Sequence, residues 1–320
     1  MTQRANPANG NGMALEGLKI LDTSQLFAGA MPATLMGDFG AEVIKVEHPK
    51  NGDGLRTMGS FKDGIPLSWK FHSRNKKCIT LNLGNPQGAE ILKRLVQDTD
   101  ILIEGFRPGV MERIGLGYDA VETLNPRLVY GAVSGYGAEG PWKDKPGQDL
   151  LVQALSGIAW LNGNDGDGPV PTGFAMLDVA TAGQLVQGIL ACLVRRGVSG
   201  RGGLVEVDLM SAAIDMTFEQ FTCFLNDESG QPRRHAQGNA NPYQPAPYGV
   251  YRTADGHMAL AMAPLAKLAE LLACPEIAAF GQAQAFARLD EIKSVVAGVL
   301  ATQPTKHWLD ILEPAGLWCA

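Results

Sequence analysis

Asp178 has the setting that most invites chemistry. It follows an apolar run, Gly173-Phe174-Ala175-Met176-Leu177, and precedes a small-residue run, Val179-Ala180-Thr181-Ala182-Gly183. The helical pattern over residues 178–196 puts its carboxylate at a helix N-terminus. Asp is a favoured N-cap, so an ordinary structural role is one reading. The other uses the same geometry: a fixed, partly desolvated carboxylate can attack an activated acyl group as a covalent nucleophile. Gly183, one turn on, leaves room for a substrate. The residues alone keep both readings open.

The remaining candidates exclude more than they propose. His48, His72, His235, His257 and His307 are isolated, and no Ser-His-Asp or Cys-His spacing occurs. Cys78, Cys192, Cys223, Cys274 and Cys319 form no CxxC or Cys/His ligand pattern, so no metal site and no disulfide framework is expected. The loop Asn162 to Pro169 spaces acids like a calcium loop, but the position that should carry Glu is Phe174. The turn Thr23 to Gly29 lacks GxGxxG, which argues against a nicotinamide oxidoreductase. Basic residues recur beside strand-like runs: Arg74, Lys76 and Lys77, then Arg107 and Arg113, then Lys143 and Lys145. Converging in loops they would suit a polyphosphate; singly they are ordinary surface charges.

These residues need elements to hold them. Leu18 to Asp22, Val43 to Glu47, Cys78 to Leu83, Ile101 to Glu104 and Leu128 to Val133 read as short apolar strands. Helical patterns fall between them, at Ala28 to Phe39 and Gln87 to Gln97, the latter opened by Pro86. Such alternation predicts an α/β fold with a mostly parallel, Rossmann-like sheet covered on both faces. Helices are expected over 149–160, 178–196 and 210–225, with a strand over 204–209. Residues 226–247, rich in Asn, Gln, Pro and Gly, read as a linker. A hairpin through Asp255-Gly256 and three helical stretches follow. The expected organisation is a large domain over 1–225, the linker over 226–247, and a small α+β domain over 248–320. The apolar end, Leu317-Trp318-Cys319-Ala320, suggests a truncated chain or a tail that packs elsewhere.

A net charge of −6 argues against a nucleic-acid binder, which needs a broad basic face. The polar N-terminus lacks the apolar core of a signal peptide, and no uninterrupted apolar run approaches the ~18 residues of a membrane span. A cytoplasmic protein without membrane contact is expected.

Several of these motifs, in order along nearly the whole chain, resemble the class III (CaiB/BaiF-type, formyl-CoA transferase-like) CoA-transferase family. They are Leu15 to Asp22, Ala28-Gly29, Gly40 to Glu47, Asn75-Lys76-Lys77, Phe106 to Gly109 with Arg113 and Gly115, Ser134 to Gly137, Asp149 to Ala154, Ser199 to Gly202, and Pro247 to Tyr251 with Asp255-Gly256. The resemblance implies a large Rossmann-like domain, a smaller domain, and two subunits threaded into an interlocked homodimer. It implies acyl-CoA and a carboxylic acid acceptor as substrates, with no permanently bound cofactor and no metal. Asp178 matches the family Asp that attacks the thioester. By the same resemblance Leu26, Phe27 and Ala28 line the CoA site, and Leu81 and Phe106 flank the adenine. Arg113 and Lys145 meet the phosphates, and Asp149 matches an acidic position beside the active site.

His48 stands where some members carry a CoA-contacting Arg, and Gly105 where some carry Asn. Residues 238–244 fall near a glycine loop of one subgroup but hold a single glycine. Members continue past the equivalent of Ala320, so the segment returning to the large domain is expected to be missing. A racemase subgroup needs a titratable His before the acidic position, and Gln148 stands there, which favours transfer. A CoA-binding or interaction protein without turnover is the other alternative.

Overall fold

The computed structural model describes residues 12–227 and 230–320. The chain divides into two compact units. The first takes the described residues through Val152 together with Phe174–Met216; the second takes Gln153–Gly173 and Thr217–Ala320. The seams therefore fall elsewhere than the segments read from the sequence: residues 153–173 and 217–247 group with the second unit.

The first unit opens with β1 (Lys19–Asp22), α1 (Leu26–Asp38) and β2 (Glu42–Glu47). A small antiparallel pair, β3 (Phe61–Lys62) and β4 (Ile65–Pro66), leads to α2 (Leu67–His72) and β5 (Lys76–Thr80). Then come α3 (Pro86–Gln97), β6 (Ile101–Glu104), α4 (Val110–Arg113), α5 (Tyr118–Leu124), β7 (Val129–Ser134) and the start of α6 (Asp149–Leu155). After α7 (Ile158–Leu161), which belongs to the second unit, the first unit resumes with α8 (Met176–Ser199), β8 (Gly203–Asp208) and α9 (Leu209–Met216).

Six strands form one parallel sheet in the order β5-β2-β1-β6-β7-β8. Its central strands are apolar because both faces are covered: Ile101, Leu102 and Ile103 are fully buried. Ile20, Ile103 and Val129 pack with Ala33 of α1 and Leu185 and Ile189 of α8. Leu21, Leu102 and Tyr130 face the other way, onto Leu92 of α3 and Val121 of α5. The chain grows outward from β1 in one direction and from β6 in the other. The carboxyl ends beside β1 and β6 therefore form the switch point where such sheets place ligands.

α8 is long and apolar enough to cross a membrane by length and composition. In this fold Leu177, Ala182, Leu185 and Ile189 bury one of its faces. Its last turn is tied to the far edge of the sheet, where the Arg196 guanidinium donates to the Arg127 carbonyl (3.1 Å) and pairs with Asp100 (3.0 Å).

Several elements differ from the sequence expectation for local reasons. β5 ends at Thr80 because the next residues turn: Asn82 accepts from the Gly84 N–H, and Asn85 caps α3 through the Gln87 N–H (2.9 Å). The helix expected over 149–160 breaks at Gly157, whose φ of +86° ends α6 and opens α7. The helix expected over 210–225 is two, α9 and α10 (Phe218–Asn226), interrupted at Thr217.

The second unit contains α7, α10, the hairpin β9 (Gly249–Arg252) and β10 (His257–Leu260), and helices α11 (Leu265–Leu271), α12 (Pro275–Phe280), α13 (Leu289–Leu300) and α14 (Thr305–Leu312). Its own core gathers Tyr251, Met258, Leu268, Ile292, Val296 and Leu312. Ala320 exchanges hydrogen bonds with Ala259, so the apolar tail lies along β10 and Leu317 enters this core. The segment read as a linker is tightly held where described. Arg234 and His235 are each 1% exposed; Arg234 donates to the carbonyls of Asn162, Asp167 and Gly168, and His235 Nδ1 lies 2.7 Å from Lys293 Nζ.

Candidate active site

Asp178 is not the cap of its helix. α8 begins at Met176, so Asp178 is the third helical residue, and Ala175 at the cap position makes no side-chain bond. The capping carboxylate comes from α6: Asp149 Oδ2 accepts from the N–H of Leu177 (2.7 Å) and of Asp178 (3.1 Å). Two of the four orphan N–H groups of the helix end are satisfied this way, and the anion suits the positive end of the dipole. The Asp178 side chain is thereby spared the capping role.

The place of Asp149 follows from a close backbone approach. A Cβ on Gly147 would lie 2.3 Å from the Gly135 Cα, and one on Gly135 would lie 2.4 Å from the Gly147 Cα. Only glycines allow the loop after β7 to double back so tightly, and α6 starts two residues later with Asp149, 7% exposed. Burial, aided by the Asp149 charge, pushes the Asp178 carboxyl up to about 7. Such a group exchanges its proton near neutral pH and, once ionised, is a poorly solvated and hence reactive carboxylate.

The parallel sheet brings the other expected residues to the same edge. Leu26, Phe27 and Ala28 follow β1, Leu81 follows β5, Phe106 follows β6, and Lys145 and Gln148 follow β7, each beyond a carboxyl end. The N-terminus of α8 reaches that edge too, since α8 runs back to enter the parallel β8 at its start. Leu26 has a left-handed backbone (φ +60°) and is exposed, whereas Ala28 is buried. The Phe27 ring meets the buried His72 ring edge-on at 4.6 Å. Phe106 donates its N–H to Glu104 (2.7 Å). Arg113, the last residue of α4, is exposed, as is Gln148. Lys145 Nζ sits 4.5 Å from the centre of the Trp142 ring.

The first group of basic residues serves the fold instead. Arg74 chelates Asp38, Lys77 pairs with Glu42 (2.6 Å), and Lys76 is buried against Asp22 (2.9 Å) and the Ala30 carbonyl (2.7 Å). Arg107, Arg113, Lys143 and Lys145 stay exposed after β6 and β7. The calcium-like loop is likewise engaged, since its carbonyls hold the Arg234 guanidinium. No cluster of His, Cys, Asp and Glu suited to a metal ion occurs among the described residues.

One residue of interest escaped the sequence reading. Glu104 ends the apolar strand β6, is 9% exposed, and borders a cavity of about 360 Å³ with Phe106, Arg107, Lys143 and Glu206. Burial raises its pKa to about 7; the Phe106 N–H opposes this, and Glu112 and Glu206 add to it. The available signal was an acid closing an otherwise apolar strand.

A parallel sheet with this strand order has a family counterpart. The model of CoA-transferase family III matches residues 15–320, and the chain belongs to that family of enzymes. It is 36% identical over 274 residues to the beta subunit of succinyl-CoA–L-malate CoA-transferase of Chloroflexus aurantiacus, covering 83% of this chain and 66% of that one. With the acetyl-CoA:oxalate CoA-transferase of Acetobacter aceti it shares 32% identity over 321 residues, 97% of this chain and 81% of the relative. The human succinyl-CoA:glutarate CoA-transferase is 32% identical over 86% of this chain and 63% of its own length. The chain thus spans about two thirds of the length of some of these relatives. Among solved structures, Rv3272 of Mycobacterium tuberculosis superposes with a TM-score of 0.82 at 29% identity, over 97% of this chain and 84% of that one. A CaiB/BaiF family protein of Brucella suis gives the same TM-score at 27% identity, over 97% and 84%.

Proposed function

We propose that this protein transfers CoA between carboxylic acids, with Asp178 as the nucleophile. The observation that carries the reading is the carboxylate of Asp178, half-buried at the ligand edge and relieved of capping by Asp149. In the ionised form an oxygen of Asp178 attacks the thioester carbonyl; the C–S bond breaks and CoA leaves as thiolate, giving a mixed anhydride. The thiolate then attacks the aspartyl carbonyl, releasing the donor acid and leaving an aspartyl-CoA thioester. An acceptor carboxylate reverses the two steps and regenerates Asp178.

Leu26, Phe27 and Ala28 would line the CoA site, Leu81 and Phe106 the adenine, and Arg113 and Lys145 the phosphates. All lie on the first unit, which is the CoA-binding part in this reading. The names of the relatives point to short dicarboxylic acids as acceptors and to succinyl-CoA or acetyl-CoA as donors. A homodimer interlocked as in the family is the assembly we propose, in the cytoplasm.

A second reading is racemisation, because a carboxyl titrating near 7 also suits proton transfer. It lacks a titratable residue at Gln148.

Intact-protein mass spectrometry after incubation with succinyl-CoA and acetyl-CoA tests the proposal. A hydroxylamine-sensitive acyl or CoA adduct, absent from Asp178→Ala, is expected. Acyl-CoA binding with no adduct, but with exchange of the α-proton, would replace transfer by racemisation.

A further inference from the structure

Leu26 occupies a backbone region that a residue with a Cβ keeps only when its surroundings hold it there. Two charged side chains from β2 and the turn after it do the holding. Lys45 donates to the carbonyl of Ser24, and Asp53 Oδ1 accepts from the N–H of Leu26 (3.3 Å). Gln25, between these two points, is bracketed. Lys45 and Asp53 are each 1% exposed and are joined to one another at 3.1 Å.

The clamp is itself anchored. The same Asp53 oxygen accepts from the Leu55 N–H (2.9 Å), and the Asp53 N–H donates to Glu47 (3.0 Å), which Arg56 chelates at 2.7 and 2.9 Å. On the other side Asp22 accepts from the Ser24 N–H (3.1 Å) and pairs with Lys45 (3.5 Å) and Lys76 (2.9 Å). Five buried charges, Asp22, Lys45, Glu47, Asp53 and Lys76, thus gather around one short turn. Withdrawing them from water costs more than an apolar filling would, so their use fits a turn whose geometry must be unique.

We infer that Asp53 is a positioning residue for acyl-CoA binding: with Lys45 it fixes the backbone of the Gln25–Phe27 turn in the conformation that the acyl-CoA meets. The inference rests on the transferase reading, in which Leu26, Phe27 and Ala28 line the CoA site.

Three variants separate the hydrogen bond from the charge. Asp53→Ala removes both. Asp53→Asn keeps an oxygen for the two N–H donors and loses the ion pair. Asp53→Glu keeps the charge and displaces the oxygen by a methylene. For each, calorimetry gives the Kd for succinyl-CoA or acetyl-CoA, whichever acylates the wild type. Steady-state kinetics gives KM and kcat, and hydrogen exchange reports the Leu26 amide. Loss of a hydrogen bond to a charged acceptor is expected to raise KM and Kd about tenfold or more in the Ala and Glu variants. Their kcat should stay near wild type and the Leu26 amide should exchange faster, while Asn should restore most of the affinity. If the Ala variant does not fold, the order of Asn before Glu in affinity carries the test.

Wild-type affinity in all the variants, or a fall in kcat with KM unmoved, would overturn the positioning role while the transferase reading stands. A wild-type protein that binds no acyl-CoA would overturn both.

Discussion

Asp22 is fully and Asp178 partly withdrawn from water in the same unit, and their surroundings push the two carboxylates in opposite directions. Burial alone would raise Asp22, but Lys45 and Lys76 outweigh it and hold this carboxyl below the ordinary range. Lys45 in turn is lowered by burial and raised further by Asp22 and Asp53, so it stays charged. At Asp178 burial acts in the same sense as the neighbouring charge of Asp149, and the carboxyl rises to about 7. Matched charges lock a turn into place. An unmatched carboxylate keeps its electron pair available, which is the arrangement expected of a reacting group.

The contrast can be broken experimentally, and the largest effect should come from the unmatched side. Asp178→Ala is expected to lower transfer by on the order of 10⁴-fold or more, the scale of losing a nucleophile, without lowering the melting temperature at neutral pH. Retention of a tenth of the activity would remove Asp178 from that role. On the matched side, Lys45→Met strands two buried aspartates, and denaturant unfolding should show a loss of roughly 3–5 kcal/mol. A loss under 1 kcal/mol would mean that the network is not a structural unit.

The pH dependence sharpens the comparison. Acylation of Asp178 at saturating acyl-CoA should rise with pH through about 7 as the carboxyl ionises. Asp149→Asn should move that midpoint down, though not back to the ordinary Asp value, because burial is the larger cause. Stability follows the same proton. Unfolded Asp178 ionises near the ordinary 3.8 and folded Asp178 only near 7, so between these pH values the unfolded state binds fewer protons. Stability therefore falls as pH rises across that window. Asp178→Asn should match the wild type in melting temperature at about pH 4 and exceed it at pH 8; a constant offset would contradict the raised pKa. The smallest effect belongs to a half-exposed pair: Arg74→Ala, losing Asp38, should cost about 1 kcal/mol or less in denaturant unfolding.

Much of this contrast was hidden in the sequence for a physical reason. The sheet was legible because its strands are short apolar runs separated by helices, and Pro86 and Ser199-Gly200 punctuate where the helices α3 and α8 begin and end. The carboxylate at 178 was legible as a candidate, but its cap was not, since Asp149 lies 29 residues away and reaches it only through the Gly135–Gly147 approach. Lys45 reads as one polar residue within a short apolar strand, and nothing local says that Asp22 and Asp53 converge on it. Lys76 reads as a surface cation for the same reason. His235 and Lys293, 58 residues apart, meet only through tertiary packing. Periodicity reports which side chains leave water; it does not report which of the polar ones find each other there.

The two ends of α8 are moored to different elements, the last turn to residues just before β6 and β7 and the first turn to α6. Arg196, in the last turn, grips Arg127 and Asp100, while Asp149 grips the first turn. The helix from Asp178 to Arg196 makes a rigid strut of roughly 27 Å at the α-helical rise. Alignment of the reacting oxygen is therefore shared between the place where bonds change and a distant anchorage where none do. A loosened mooring at Arg196 would act as a lever, misaiming Asp178 while leaving every residue around it intact.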